Sequence, residues 1–213
     1  MAKKLGTQFR KKFVNVAKQM NDIAVRANSP YFIDGLDFVN KNTKMLGSFQ
    51  AAETWTSKAG TQAFDTTNYI FGSRGLKISE DDNSSNIIYS SRESISIDMT
   101  KLDNGATSTT ADKILVAFYC QDITKILKTP TNGILLYFSA DATVGGNNFN
   151  YSITDIVDGW NYKLIPKSSF SQGGTVDWGT IQSIAVAWYT NTNAQNAYVT
   201  FGLLCLVAAT PTL

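Results

Sequence analysis

Four tryptophans and nine tyrosines carry the most usable chemistry of this chain. An indole or phenol ring offers a flat apolar face, and such a face stacks on the C–H side of a pyranose. Trp160 stands in Asp158-Gly159-Trp160-Asn161, between two strand candidates. The glycine permits a tight turn there. The Trp160 ring is therefore expected either to fold over the open end of a core or to face a ligand. Trp178 divides the same way, whereas Trp188 alternates with Val186 and Ile184 and reads as core. Tyr151, Tyr189 and Tyr198 are candidate platforms. Asn147, Asn148, Asn150, Asn191, Asn193 and Gln195 are candidate partners for hydroxyls. The candidate carbohydrate-binding set is Trp160, Asn148, Tyr151, Trp178, Asn193 and Tyr198. A plain polar surface explains the amides as well.

Other chemistries are narrowed by what the chain contains. It has no histidine, so imidazole bases, Ser-His-Asp triads and His-ligated zinc are excluded. Its two cysteines, Cys120 and Cys205, cannot build a four-thiolate site. Both lie in apolar runs and read as buried thiols, with a disulfide between neighbouring strands left open. Glycoside hydrolysis would need two carboxyl groups. Asp155, Asp158 and Asp177 sit among turn residues instead, and Glu80-Asp81-Asp82 follows a strand. No enzymatic activity, catalytic residue, metal or other cofactor is expected.

The elements that must position these residues are mostly strands. From Trp55 the apolar pattern has a period of two. Leu76 and Ile78 alternate with Lys77 and Ser79, and Ile95, Ile97 and Met99 with Ser94, Ser96 and Asp98. Further strands are expected at 87–89, 114–120, 133–138, 149–153, 162–165, 181–189 and 198–207. Short strands separated by Gly, Asn, Ser and Asp turns predict two stacked antiparallel sheets. Charged residues make up only 17% and aromatics 12% of the chain, which does not describe a disordered protein.

Residues 1–30 differ in kind. Residues 1–26 hold seven basic side chains and one acid, while the remainder has a net charge of −4. Phe9, Phe13, Val16, Met20 and Ile23 recur at heptad spacing and predict an amphipathic helix over 8–26, stopped by Pro30. So short a helix needs a neighbour to bury its stripe. Its own domain, sister copies, a larger scaffold and a membrane surface are the alternatives. Residues 31–54 read as an apolar connector packed on the domain or a partner, with one or two helical turns between Met45 and Ala52. Residues 55–213 form the sandwich. Met1-Ala-Lys-Lys has no apolar h-region behind it, and no run reaches the roughly 18 apolar residues of a membrane span. Nothing in the basic arm forms a sequence-reading nucleic-acid motif.

The order of Trp55, Asp65-Thr66-Thr67-Asn68-Tyr69, Gly72-Ser73-Arg74-Gly75-Leu76-Lys77-Ile78, Ser96 to Leu102, Leu135-Tyr137-Ser139, Gly159 to Pro166, and Phe170, Asp177, Trp178 and Ile181 resembles a known pattern. It is similar to the carbohydrate-binding-module-like, or galactose-binding-like, jelly rolls of bacteriophage tail, fibre and capsid-decorating proteins. The resemblance spans Trp55 to about Val207. It implies an all-β, two-sheet antiparallel jelly-roll sandwich, preceded here by the short N-terminal α-helix. It also implies a non-enzymatic virion protein of head fibre, decoration or tail. Such a protein would assemble in the host cytoplasm, dock on other virion proteins through its helix, and present the jelly roll to host surface glycans. Homo-oligomers are implied, trimers ahead of dimers, with Phe9, Phe13, Val16, Met20 and Ile23 as contacts. A free carbohydrate-binding module is the alternative, and a polysaccharide hydrolase ranks last. Related modules often hold a structural calcium ion with an acid on the final strand. Tyr198-Val199-Thr200-Phe201-Gly202-Leu203 has none, which counts against the ion.

Overall fold

The computed structural model describes residues 43–208, apart from 51, 71–72, 82–85 and 130. The expected helix over 8–26, with Phe9, Phe13, Val16, Met20 and Ile23, lies outside the described residues. Twelve strands run in chain order: β1 (Thr43–Gly47), β2 (Thr56–Ala59), β3 (Thr61–Asp65), β4 (Gly75–Ser79), β5 (Ile87–Arg92), β6 (Lys113–Cys120), β7 (Ile134–Ser139), β8 (Asn148–Ile153), β9 (Gly159–Pro166), β10 (Ser171–Gly173), β11 (Ser183–Tyr189) and β12 (Tyr198–Val207). Among the described residues no helix is long and apolar enough to cross a membrane.

The strands form two antiparallel sheets of six. Sheet A has the order β3-β4-β12-β6-β9, with β1 also on β12, and sheet B the order β10-β8-β7-β11-β5-β2. In sheet A, β12 has β6 along one edge. Its other edge is shared, with β4 beside residues 198–201 and β1 beside residues 204–207. This is the two-sheet sandwich that the alternating pattern predicts, with a topology consistent with a jelly roll.

The core lies between the sheets, because each strand sends every second side chain inward. From sheet A come Leu76, Ile78, Val116, Phe118, Phe201 and Leu204, and from sheet B Ile88, Leu136, Phe138, Ile184, Val186 and Trp188. Trp188 is fully buried and donates its indole N–H to the Ile78 carbonyl at 3.2 Å, joining the two sheets. That satisfies the single polar atom of the largest core side chain.

Three local expectations are corrected. The stretch from Met45 does not begin a helical turn: Thr43–Gly47 is a strand, because its backbone completes the edge of β12. The chain then turns at Phe49, with a φ of 58°. The Glu53 carboxylate holds that turn by accepting from the backbone N–H groups of Ser48 and Phe49 and from the Trp55 indole. Residues 94–99 alternate in burial but make no regular ladder. Their N–H groups at Ile95, Ile97 and Met99 donate to Gln182, Ile181 and Trp178. Trp160 is not in a turn. The turn closes at Gly159, with a φ of 84°, and Trp160 already belongs to β9.

Cys120 and Cys205 do not meet. Cys120 packs in the core between the sheets and Cys205 on the opposite face of sheet A, and both are free thiols. Burial pushes each thiol up to about 12.

Candidate functional site

Register places the six candidate residues in different parts of the sandwich. Tyr151 pairs with Leu136 and therefore points between the sheets, where its ring lies 5.4 Å from that of Phe170. Trp178 is stacked on Phe149 at 4.0 Å with an interplanar angle of 4°, and meets Phe170 edge-on at 5.6 Å. Both residues pack against the core. Asn148 lies on the outer face of sheet B and donates to the Gly145 carbonyl at 2.6 Å. Asn193 sits in the loop before β12 with a φ of 63°, its carbonyl accepting from the Lys125 ammonium at 2.9 Å. Tyr151 and Trp178 thus meet at Phe170 within the core, and Trp160 and Tyr198 share a neighbourhood on the outside. Both contact Tyr119 on the outer face of sheet A, Tyr198 stacked at 6.4 Å and Trp160 edge-on at 5.8 Å.

The outer face of sheet A is built in rows by the ladder. One row reads Lys77, Thr200, Tyr119, Trp160. The Lys77 ammonium lies 4.0 Å from the Tyr198 ring centre, a cation–π contact. A parallel row reads Met45, Cys205, Leu115, Leu164. Trp160 lies across β12 where Gly202 has no side chain; a Cβ there would come within 3.0 Å of the indole. Tyr162 stacks beside it at 6.1 Å. These rings are half-buried and packed on one another and on Ile70, Ala117 and Leu203.

The outer face of sheet B has a different relief. β11 passes through its middle with Ala185 and Ala187 facing outward. Neighbouring strands put taller side chains beside these alanines. Tyr137 of β7 is opposite Ala185, and Tyr89 of β5 is opposite Ala187. Tyr189 follows on β11 itself, opposite Ile87. Burial raises the Tyr137 phenol above its ordinary range, and the nearby Tyr189 and Tyr89 hydroxyls add to the effect. The three phenols therefore stand close together over the two alanines.

Polar groups border these alanines on both sides. On β8, Asn150 is opposite Tyr137 and Ser152 opposite Leu135. The Asn150 amide donates to the Asn148 side-chain oxygen at 2.9 Å, which fixes both amides. On β5, Ser91 is opposite Ala185 and donates to Glu93 at 2.9 Å. The Lys58 ammonium lies 2.8 Å from the same carboxylate and, as the main cause, holds it below the usual glutamate range. This face of sheet B thus sets two buried small residues at its centre, tyrosines beside them and oriented amides at its border.

Tyr89 and Tyr137 escape a reading of the sequence by loops, because they lie mid-strand. A signal for them exists in the alternation Leu135-x-Tyr137 and Ala185-x-Ala187-x-Tyr189, whose outward positions become visible only once β11 is known to be central.

No group of three or more His, Cys, Asp or Glu residues that could hold a metal ion occurs among the described residues. The carboxylates that stand out are used locally. Asp155 pairs with Lys163 at 2.7 Å, Asp158 accepts from the Ile123 N–H at 2.6 Å, and Asp177 accepts from the Gly179 N–H at 2.6 Å.

No family model matches the chain, and no curated protein matches it. Solved structures do. A family 11 carbohydrate-binding module from Clostridium thermocellum, in complex with a β-1,3-1,4-mixed-linked tetrasaccharide, superposes with a TM-score of 0.52 at 18% identity, covering 80% of this chain and 98% of that one. The solution structure of CtCBM11 gives a TM-score of 0.52 at 19% identity, covering 79% and 96%. The chain has a carbohydrate-binding-module-like β-sandwich fold. The comparisons bear on the module half of the expected resemblance. The phage half rests on the sequence alone.

Proposed function

We propose that this chain is a non-catalytic glycan-binding domain that lays a β-linked glucan along the outer face of sheet B. The observation that carries the reading is the placement of Tyr89, Tyr137 and Tyr189 on three adjacent strands around Ala185 and Ala187. Phenol rings supply apolar faces for pyranose C–H groups, and their hydroxyls, with Asn148, Asn150 and Ser91, supply hydrogen bonds. The tyrosines occupy three successive outward rows, a span of about 13 Å along the strands. That exceeds one sugar ring and suits a chain of sugars. The β-1,3-1,4-mixed-linked tetrasaccharide bound to the similar module supports a β-linked sugar chain as the ligand class. The packed aromatic row of sheet A suits this role less well, because its rings lie against each other and against Gly202.

Calorimetry with the mixed-linked β-1,3-1,4 tetrasaccharide tests the reading. The full chain is expected to bind, and Tyr137→Ala and Tyr89→Ala to weaken binding tenfold or more. Trp160→Ala should leave affinity unchanged. No binding to this sugar or to other β-glucans would overturn the reading, and loss confined to Trp160→Ala would move the site to sheet A. The virion setting is a separate proposal that rests on the basic arm; co-fractionation of the chain with phage particles tests it.

A further inference from the structure

The outer face of sheet A is apolar where the solvent side of an antiparallel sheet is usually polar. Met45, Leu115, Ala117, Tyr162, Leu164, Leu203, Cys205 and Val207 form one packed patch. It spans β1, β12, β6 and β9, about 14 Å across the strands. Two hydroxyl oxygens at this patch, Tyr162 Oη and Thr43 Oγ1, are buried and have no hydrogen-bond partner among the described residues. A buried unpartnered hydroxyl is costly, so further chain over this corner is to be expected.

The chain itself leads to this place. β1 opens at Thr43, opposite Val207, at the corner of the patch. Forty-two residues precede it, and they include the heptad stripe Phe9, Phe13, Val16, Met20 and Ile23. We infer that this apolar stripe of the chain's own N-terminal segment docks on the outer face of sheet A, over Leu115, Leu164, Cys205 and Val207. The return path is ample: residues 28–42 can reach up to about 50 Å when extended. Covalent attachment places the stripe at an effective concentration on the order of millimolar, ahead of a second copy at ordinary concentrations. The basic residues Arg10, Lys11, Lys12 and Lys18 fall between the heptad positions of the stripe. This docking does not depend on the glycan face, which is on the other sheet.

Hydrogen exchange on the full chain, with light scattering on the same sample, tests it. Residues 9–23 should be protected at a monomer mass. Leu164→Asp should lower that protection at least tenfold with the mass unchanged. Because a charge on β9 could disturb the sheet, Phe13→Asp/Val16→Asp attacks the same contact from the segment's side. It should give the same loss while β12 amides keep theirs. Unprotected residues 9–23 in the unaltered chain would overturn the inference. So would protection that appears only with a dimer or trimer mass, since the occupant would then be a second copy.

Discussion

The Lys167 ammonium donates to the carbonyl of Met99 at 2.8 Å, across 68 positions of sequence. It also contacts Ser108 Oγ at 3.1 Å and lies 5.2 Å from the centre of the Trp178 ring. The residue is only 3% exposed. One cation thus holds together the segment after β5, the loop before β6 and the loop before β11. Replacing it by Met keeps the volume but leaves a buried carbonyl and a hydroxyl without this donor. Lys167→Met is expected to cost about 1–3 kcal/mol in urea denaturation. A change below 0.5 kcal/mol would show that the contact adds little.

The same lysine gives an alkaline signature. Burial lowers its proton affinity, against the pull of Asp112, Asp177 and Asp98. The unfolded chain therefore holds this proton more tightly than the folded one. The contribution of this group to stability rises as pH climbs through the folded lysine value toward the free one. Lys167→Met lacks that rise. The stability gap between the two chains should widen over this range, and a constant gap would refute the linkage.

Asp65 gives the same sign at acid pH, from a different cause. Burial alone would raise its carboxyl, but hydrogen bonds from Asn68, Thr67 and Thr200 together hold it below the usual aspartate range. The Thr200 hydroxyl reaches it at 2.8 Å from within sheet A. Its stabilisation is fully present above the ordinary aspartate value and is lost as pH falls through the folded value. Asp65→Asn should flatten the acid limb of the stability curve. An unaltered limb would assign that limb to other carboxylates.

Gly202 is the position that admits the Trp160 ring. Adding a methyl group at Gly202 brings it to 3.0 Å from the indole, closer than most carbon contacts. Gly202→Ala should lift the ring off β12 and destabilise the domain by about 1–3 kcal/mol. Tryptophan emission reports it, since Trp55 and Trp188 remain buried. An unshifted spectrum would mean that the ring has room to yield.

The two thiols should be silent in the native state. Burial pushes both up to about 12, and they stand on opposite faces of sheet A. Thiolate is the reactive form, so a colorimetric thiol reagent should find none before denaturation and two after it. Oxidation should form no intramolecular bridge without unfolding. Native reactivity at one cysteine would reveal an opening of sheet A.

The strands legible in the sequence are β4, β5, β8 and β9, marked by alternation or short apolar runs, and those buried from both sides. β6, β7, β11 and β12 are continuous apolar runs, because their outward residues also pack on neighbours. β2, β3 and β10 could not be read: they are exposed, polar edge strands fixed by the ladder beside them. Residues 94–99 show the reverse case. Their alternation of burial is real, with Met99 fully buried, yet their hydrogen bonds meet an irregular partner at 178–182. The tyrosines of sheet B are hidden in the sequence for a related reason. Alternation sets Ile184, Val186 and Trp188 on the core face of β11, but Ala185 and Ala187 are as apolar as the core and do not mark the other face as a surface. The polar loops therefore point to Asn193 and not to the mid-strand Tyr89 and Tyr137.

The place of β12 has a consequence for the order of biosynthesis. It is the last strand of the described chain and the only one that touches β1, β4 and β6. Until residues 198–207 leave the ribosome, β1 has no ladder, β3 and β4 form an isolated hairpin, and β6 has β9 alone. Sheet B needs none of these residues. Domains normally fold as units while they are made, and β pairings between distant segments form slowly. Here half of the sandwich must wait, with Leu115, Phe118 and Ile114 uncovered on the nascent chain. A pause in translation before residue 198 would lengthen that exposure, and chaperone binding during synthesis should concentrate on β6.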